Sequence, residues 1–184
     1  MPAAFGHAHT ADAVDFAALA ADEREAKWWA ALSAEQLAAE LRWAEQLLPT
    51  VFHVLRQGRT EPMGEGELLA HAQPGVYTCA GCALPLYASE HKLESSVQHG
   101  WPAFGTALGA GVSRRRQGKG AKVEVICARC SGHLGHVFSS KRYASGERHC
   151  VNSASLSFVP RGTAAGQLPP IAGGLTACCD ADDL

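Results

Sequence analysis

Cys150 is the residue best suited to chemistry in this chain of 184 residues, because it stands alone among charged and polar neighbours. A cysteine thiolate is a nucleophile, and a nearby positive charge stabilises it. Residues two apart in a strand project to the same face, so Arg148, Cys150 and Asn152 would form one row of side chains. We predict that Arg148 favours the thiolate by its charge. We predict that Asn152 holds a reacting oxygen or orients a neighbouring group.

Four other cysteines form two C-x-x-C pairs, which is the spacing of a tetrahedral metal site. They are Cys79, Cys82, Cys127 and Cys130. Two tight turns that each offer two soft thiolates suit one structural Zn²⁺ per chain and leave no coordination position for a substrate. The alternatives are four incidental thiols, redox pairs, or a zinc ribbon that binds protein or nucleic acid. A zinc ribbon would leave Cys150 and the nearby histidines unexplained.

His133 and His136 lie shortly after the second C-x-x-C turn. Imidazole groups titrate near neutral pH and can donate or relay a proton. Either histidine could instead be an ordinary surface or core residue, or the two could bind a metal. Beside a reactive cysteine they would complete a small active site, and we predict a catalytic role for both.

The composition indicates a globular protein, since 47% of the residues are hydrophobic and the formal net charge is -2. This near-neutral charge gives no general reason to expect nucleic-acid binding, and we interpret the basic stretch 114–116 as a solvated loop. The sequence has no long apolar run and no export signal, so we expect a cytoplasmic protein without a membrane partner. Seven cysteines in such a chain favour metal binding and thiol chemistry over a disulfide framework.

The first part of the chain, residues 14–48, is rich in alanine and predicts two helices. Ser33 is the expected N-cap of the second helix, Gln36 would complete a capping box, and Pro49 would end the helix. We therefore predict an α-helical N-terminal extension over residues 1–49. We assign no chemistry to this extension.

After Pro49 the sequence changes to short apolar segments separated by glycine, which is typical of β-strands. The predicted strands are 51–55, 75–78, 84–87, 123–126, 136–138, 148–152 and 156–159. Residues 50–160 are predicted to form a mainly β domain with two antiparallel sheets, in which the zinc site joins two hairpins. Residues 161–184 are rich in glycine, proline and alanine and are predicted to form a flexible tail.

Four strings of the sequence resemble motifs of the B-type methionine sulfoxide reductases. They are GVYTCAGC at 75–82, GWPAF at 100–104, CARC with HLGHVF at 127–138, and RHCVNS at 148–153. The strings occur in the order that the family shows. The resemblance implies a β-sheet domain with a structural zinc remote from the active site. It also implies reduction of the R epimer of methionine sulfoxide, chiefly in proteins, with thioredoxin as the usual reductant.

The resemblance assigns the catalytic roles residue by residue. Cys150 would attack the sulfoxide sulfur and become a sulfenic acid as methionine leaves. His133 and His136 would bind the sulfoxide oxygen and protonate it, directly or through water. Arg148 and Asn152 would hold the geometry and the charge of the site.

The resemblance also implies a set of substrate contacts. Trp101 would form an apolar wall against the methyl group of the substrate. Phe104 and His149 are assigned to substrate binding as well. From the residues alone, Trp101 could equally be an ordinary core residue.

His99 occupies the position at which many family members carry a second, resolving cysteine, two residues before Trp101. The sulfenic acid at Cys150 must then be reduced by thioredoxin or another thiol from solution, or by Cys178 or Cys179. The cost of closing a loop grows only logarithmically with its length, so a distant sulfur can reach the site. We predict that one of these two cysteines is the resolving thiol.

Two further departures from the family lie beside Cys150. A basic stretch, 139–145, replaces the usual acidic Asp-Gly-Pro turn, and His149 stands where an aromatic residue is common. We expect both departures to affect substrate preference and the pH optimum. We expect the protein to be a monomer whose substrate is oxidised methionine, in proteins or as a small molecule.

Two other classes of function fit parts of the sequence. A zinc-ribbon binding module would keep its affinity for a partner after Cys150→Ser, whereas a reductase would lose its activity. A cysteine hydrolase would use Cys150 with histidine and asparagine for acyl transfer. Consumption of a thiol reductant distinguishes a reductase from such a hydrolase.

Overall fold

The computed structural model describes residues 22–117 and 122–163. The chain divides into two compact units, Met1–Arg42 and Trp43–Leu184. Most of the predicted tail, 161–184, lies outside the described residues, as do both of its cysteines. Within the described part of the chain, every helix is too short or too polar to cross a membrane.

Two helices near the start of the described chain begin at side chains that cap them. The carboxylate of Asp22 accepts a backbone hydrogen bond of 2.8 Å from the first turn of α1 (Glu23–Ala30). Helix α2 (Ala34–Gln46) follows a reciprocal pair in which Ser33 N–H donates to Gln36 Oε1 at 2.9 Å and Gln36 N–H donates to Ser33 Oγ at 3.3 Å. The predicted capping box is therefore confirmed.

Helix α3 (Pro49–Leu55) occupies a segment for which the sequence predicted a strand, so that prediction was wrong. Proline is tolerated in the first turn of a helix, because its missing N–H would have had no partner there. A short apolar run cannot be assigned to helix or strand by periodicity alone. Phe52 and Leu55 lie one turn apart and are both buried, which defines the inner face of the helix.

Two antiparallel sheets form most of the second unit, as predicted for a mainly β fold. Their strands are β1 (Gly75–Cys79), β2 (Pro85–Ala88), β3 (Ala103–Phe104), β4 (Val112–Arg116), β5 (Val123–Cys127), β6 (His133–Ser139), β7 (Glu147–Val151) and β8 (Leu156–Pro160). The first sheet has the strand order β2-β1-β8, and the second has the order β3-β7-β6-β5-β4. A single helical turn, α4 (Ser96–His99), precedes β3.

The second sheet turns one face to the core. Phe104, Val125 and Val151 are fully buried on that face. Tyr87 of the first sheet stacks on Phe104 with ring centroids 4.2 Å apart, and Tyr77 approaches the same ring at 5.0 Å. Such pairs contribute about 0.5–1.5 kcal/mol each beyond their burial. Because side chains alternate along a strand, every second residue lies on the opposite face, away from this core.

Strand β4 contains the basic stretch 114–116, so the prediction of a solvated loop was wrong. The strand lies at the edge of the second sheet and pairs only with β5 among the described strands. Charged side chains are common on edge strands because they oppose pairing with other chains, and here they hide the alternation that would reveal a strand. Arg114 contacts Glu147 and Arg115 contacts Glu124, with hydrogen bonds from two nitrogens in each case.

Candidate active site and metal centre

One row of side chains crosses the outer face of the second sheet and contains Cys150. Reading across the strands, Arg115 pairs with Glu124, Glu124 with His136, and His136 with Cys150. Directly opposite residues of antiparallel strands share a face, with Cβ atoms about 4.5–5.5 Å apart. The register therefore places His136 beside the Cys150 thiol.

His133 reaches the same face through an irregularity in β6. In a regular strand, residues three apart point to opposite faces. Here Val125 pairs with Gly135 but the next residue, Ile126, pairs with His133, so β6 contains one extra residue at this point. The ring centroids of His133 and His136 consequently lie 5.4 Å apart.

Gly135 allows β6 to approach β7, the strand that contains Cys150, closely. A Cβ atom at this position would collide with the carbonyl group of Cys150. Any larger residue would have to push β7 away, and the thiol would move with it. Glycine is thus required between the two histidines for the packing of the site.

A buried carboxylate orients His133. Glu124 is 1% exposed, and its Oε1 lies 2.6 Å from Nδ1 of His133. Burial alone would raise the pKa of Glu124, but hydrogen bonds from Arg115 and His133 outweigh burial and lower it. An ionised carboxylate only accepts hydrogen bonds, so Nδ1 of His133 carries the hydrogen. Nε2 of His133 is buried and has no partner among the described residues, which leaves it available to a bound molecule.

His136 is held in its uncharged form. Burial lowers its pKa, and the neighbouring His133 lowers it further. Nε2 of His136 lies 3.1 Å from the side-chain oxygen of Gln117, to which it can only donate. In the neutral ring, Nδ1 then remains as a proton acceptor.

The Cys150 thiol is more weakly acidic than an ordinary cysteine. Burial raises its pKa, Arg148 opposes that rise, and the carboxylate of Glu61 adds to it. Arg148 thus acts in the predicted direction, but burial has the larger effect. The resting group at neutral pH is the thiol.

We expect alkylation of Cys150 by iodoacetamide to show a midpoint above the pKa of a small-molecule thiol, because burial disfavours the thiolate. Arg148→Ala should move the midpoint to higher pH, since it removes the opposing positive charge. Peptide mapping by mass spectrometry separates Cys150 from the other thiols. A midpoint below neutral pH would contradict this account.

Asn152 links the end of β7 to two other segments. Its side chain is 3% exposed, its Nδ2 donates to Leu134 O at 2.9 Å, and its Oδ1 accepts from Glu61 N–H at 3.1 Å. Glu61 in turn accepts hydrogen bonds from the backbone N–H groups of Ser153 and Ala154. In the structure, Asn152 therefore positions the chain around Cys150.

The residues predicted to contact a substrate fall into two groups. Trp101 is partly exposed, and its indole N–H donates to Glu61 O at 3.2 Å, which fixes the ring. Phe104 and His149 are buried on the core face, where Nδ1 of His149 lies 3.1 Å from Tyr87 Oη. They are register partners of each other, and alternation turns both away from the face of Cys150.

Sequence reasoning missed Glu61, Arg115 and Glu124. Glu124 stands between two valines in a strand, so its carboxylate had to lie on the face opposite the core. That signal was present in the sequence. The partners of Arg115 and Glu61 depend on sheet order and loop packing, which the sequence does not reveal.

Four sulfur atoms meet where turns of the two sheets come together. Sγ of Cys79 lies 3.7 Å from Sγ of Cys130, Sγ of Cys82 lies 3.5 Å from Sγ of Cys127, and all four lie within 4.8 Å of one another. A tetrahedral zinc site with Zn–S bonds of about 2.3 Å has S–S edges of about 3.8 Å. The donor set and its spacing fit a structural metal ion.

The two C-x-x-C turns have the same local geometry. Each is followed by a residue with positive φ, Ala83 at 55° and Ser131 at 58°. In each turn the first cysteine accepts a backbone hydrogen bond from that residue, from Ala83 to Cys79 and from Ser131 to Cys127. The matched sequence spacing thus produces two matched turns, each of which directs two sulfurs to one point.

Comparison with known proteins identifies a matching domain family and several similar proteins. Residues 47–160 match the SelR domain family. Peptide methionine sulfoxide reductase B5 of Arabidopsis thaliana is 44% identical over 123 residues, covering 66% of this chain and 87% of that protein. The chloroplastic B2 protein of the same plant is 45% identical over 123 residues, covering 66% and 60%. The B5 protein of Oryza sativa subsp. japonica is 45% identical over 120 residues, covering 64% and 87%.

Among solved structures, the Mis18 'Yippee-like' domain covers 50% of this chain and 100% of that chain, with 20% identity and a TM-score of 0.38. This score is too low to establish a shared fold. The SelR match, in contrast, spans more than half of the 184 residues and contains Cys150, both histidines and the four clustered cysteines. The chain therefore belongs to the SelR domain family.

Proposed function

We propose that this protein is an oxidoreductase that reduces the R epimer of methionine sulfoxide, mainly in proteins, with Cys150 as the nucleophile. The names of its relatives, which are peptide methionine sulfoxide reductases, support methionine sulfoxide as the substrate. The observation that carries the proposal is the joint placement of Cys150, His136 and His133, with Nε2 of His133 buried and without a partner among the described residues. A nucleophilic sulfur next to two proton carriers is what sulfoxide reduction requires.

The chemical step transfers one oxygen atom. The sulfur of Cys150 attacks the sulfoxide sulfur, the sulfoxide oxygen passes to Cys150 as a sulfenic acid, and methionine leaves. The cysteine sulfur loses two electrons, and the substrate sulfur gains them. Two further thiols then return the sulfenic acid to the thiol, forming a disulfide and releasing water.

The histidines move the proton that this step requires. Because the Cys150 thiol is protonated at rest, it must lose its proton as it attacks. The uncharged His136 accepts that proton. That proton passes from His136 to Nε2 of His133 and from there to the sulfoxide oxygen, while Nδ1 of His133 keeps its hydrogen bond to Glu124. Trp101, fixed by its hydrogen bond to Glu61, is the proposed apolar wall for the substrate methyl group.

Resolved R and S epimers of a methionine sulfoxide peptide test the proposed function directly. Incubation with dithiothreitol should convert the R epimer to methionine and leave the S epimer unchanged, because one handed site holds the oxygen near the histidines. Chromatographic separation of the products measures both reactions. Failure to reduce the R epimer with any thiol would exclude this function.

Glu124→Gln should lower kcat/KM for the R sulfoxide by about 100-fold, which is the lower range for loss of a positioned acid or base. The amide keeps the size of the side chain but loses the charge that holds His133 and Arg115. The pH profile should change as well, because the substitution removes the ionised carboxylate of Glu124, whose pKa the hydrogen bonds from Arg115 and His133 lower. Circular dichroism would check the fold.

A double-mutant cycle separates orientation of His133 from a general structural effect. If Glu124 acts through His133, then Glu124→Gln should cost little more in a His133→Ala background. Arg115→Gln is the matched control: it removes the exposed ion-pair partner of Glu124 but keeps the carboxylate, so its effect on kcat/KM should be smaller. Additive losses in the double mutant would contradict the positioning role.

We propose Zn²⁺ as the structural metal, one per chain. Four thiolates in a compact tetrahedral arrangement suit zinc and leave no open coordination position. Cys79, Cys82, Cys127 and Cys130 would hold the ion, and it would link the two sheets. Zinc supplies no chemistry to the sulfoxide in this arrangement.

We propose that the reductant is thioredoxin or another thiol, and that Cys178 or Cys179 resolves the sulfenic acid. Every described cysteine other than Cys150 lies in the metal cluster, so a resolving thiol must come from outside the described residues or from solution. Changing both tail cysteines to serine should then slow thioredoxin-driven turnover several-fold, while reduction with excess dithiothreitol continues. Unchanged turnover with thioredoxin would contradict the proposal.

We propose a cytoplasmic, monomeric enzyme whose substrate is oxidised methionine, in proteins or as a small molecule. None of the five described cysteines forms a disulfide, which suits a reducing compartment. Light scattering of the purified protein measures its mass in solution.

A further inference from the structure

Arg142 and Arg148 carry positive charges without an ion-pair partner in the described part of the chain. The arginines of the neighbouring strand differ, because Arg114 and Arg115 each bind a carboxylate through two nitrogens. Arg142 is exposed and Arg148 is partly exposed. The charge of this arginine pair, Arg142 and Arg148, is therefore not neutralised within the described chain.

The arginine pair lies on the side of the sheet that carries Cys150. Arg148 precedes Cys150 by two residues in β7, so both project to the same face. Its guanidinium group lies 5.0 Å from the centre of the ring of Phe138, the residue of β6 that pairs with Arg148. Phe138 is 40% exposed, so this cation–π contact borders the solvent beside the thiol.

Helix α4 brings Arg142 to the same place. Ser95, just before α4, and Tyr143, next to Arg142, share a hydrogen bond of 2.6 Å between their hydroxyl groups. Burial lowers the pKa of His99 at the end of α4, and the charges of Arg148 and Arg142 lower it further. The register pair Ser139 and Glu147 closes the turn that carries Arg142, so this turn adjoins the strand of Arg148. His99 lies two residues before Trp101, the proposed substrate wall.

The nearby carboxylates do not neutralise this charge. Glu147 of the same strand contacts Arg114, and Glu61 is held by two backbone N–H groups. Positive groups that stay close together without a partner create a local positive potential, and such a potential attracts negative charge from solution. The ring of Phe138, which Arg148 contacts, is partly exposed and adds apolar surface beside this charge, which suits an extended peptide segment.

We propose that Arg142 and Arg148 select protein segments in which acidic residues flank the oxidised methionine, an inference that rests on the proposed function. An aspartate or glutamate next to the methionine sulfoxide would contact the arginine pair while the sulfoxide lies at Cys150. The flanking charge takes no part in the chemical step. Its effect should appear in KM and should weaken with salt.

Short peptides that contain methionine (R)-sulfoxide flanked by Asp, Asn or Lys test this inference, with dithiothreitol as the reductant. The Asp peptide should have a KM about fivefold below that of the Asn peptide, as expected for one charge pair near 4 Å in water. The Lys peptide should have the highest KM. About 0.5 M NaCl should remove most of these differences.

Arg142→Gln should raise KM for the Asp peptide toward the value for the Asn peptide and leave kcat unchanged. Arg161→Gln, which removes the same charge at the end of β8 on the other sheet, is the matched control and should leave the discrimination intact. Equal KM values for the Asp and Asn peptides would overturn the inference while the proposed function stands. Failure to reduce any peptide would overturn both.

Discussion

Cys150→Ser is expected to abolish release of methionine from the R sulfoxide, with kcat/KM lower by about 10⁴-fold or more. A serine hydroxyl cannot take up the sulfoxide oxygen, because the product would contain an O–O bond. Sulfur can accept the oxygen, since a sulfenic acid is the first step of cysteine oxidation. The measurement is a single turnover without reductant, in which the wild type should release one methionine per chain and Cys150→Ser none.

The control for this experiment is the protein in which Cys178 and Cys179 are both serine. It should still release one methionine per chain in a single turnover, because the resolving step follows methionine release. Dimedone should trap the sulfenic acid on the peptide that contains Cys150. A burst of methionine from Cys150→Ser would show that another group is the nucleophile.

Loss of the metal is expected to lower the free energy of unfolding by about 2–5 kcal/mol, the range found for loss of a disulfide cross-link. Cys79 and Cys82 belong to the turn after β1 in the first sheet, whereas Cys127 and Cys130 belong to the turn after β5 in the second. A bound ion would hold these two turns together, and without it four thiols would crowd in a mostly buried space. The melting temperature should fall by about 5–15 °C.

Cys127→Ser and chelator-treated wild type should both show this fall in thermal unfolding followed by circular dichroism. Elemental analysis of the same samples gives the metal content and the identity of the ion. Cys150→Ser is the matched control, because it removes a sulfur outside the cluster and should keep both the metal and the melting temperature. Metal-free protein that melts like the wild type would contradict a structural role.

Several features were predicted correctly from patterns among residues that are close together in the sequence. The matched C-x-x-C spacing predicted one cluster of four sulfurs, and the structure confirms it. The capping box at Ser33 and Gln36 is confirmed because a cap depends on residues three apart. Alternation in β5 and β8 predicted strands that the structure contains. Each of these features is set by neighbours in the sequence.

The errors arose where tertiary packing outweighs local pattern. The segment at α3 is a short apolar run, and burial of Phe52 and Leu55 on one face makes it a helix. Strand β4 carries arginines that suggest a loop, and pairing with β5 makes it a strand. Neither result follows from composition, because each depends on a partner that is distant in the sequence.

The candidate reactive residues can be identified from the sequence alone: a solitary Cys150, two nearby histidines, and four cysteines at metal-binding spacing. How these residues contact one another depends on the folded chain. The register of β5, β6 and β7 places Glu124, His136 and Cys150 in one row, and the extra residue in β6 turns His133 toward them. The fold also places the side chains of His149 and Phe104 in the core. Burial of Cys150 raises the pKa of its thiol. The physical reason is that residue type sets which chemistry is available, whereas proximity and burial depend on contacts between distant parts of the chain.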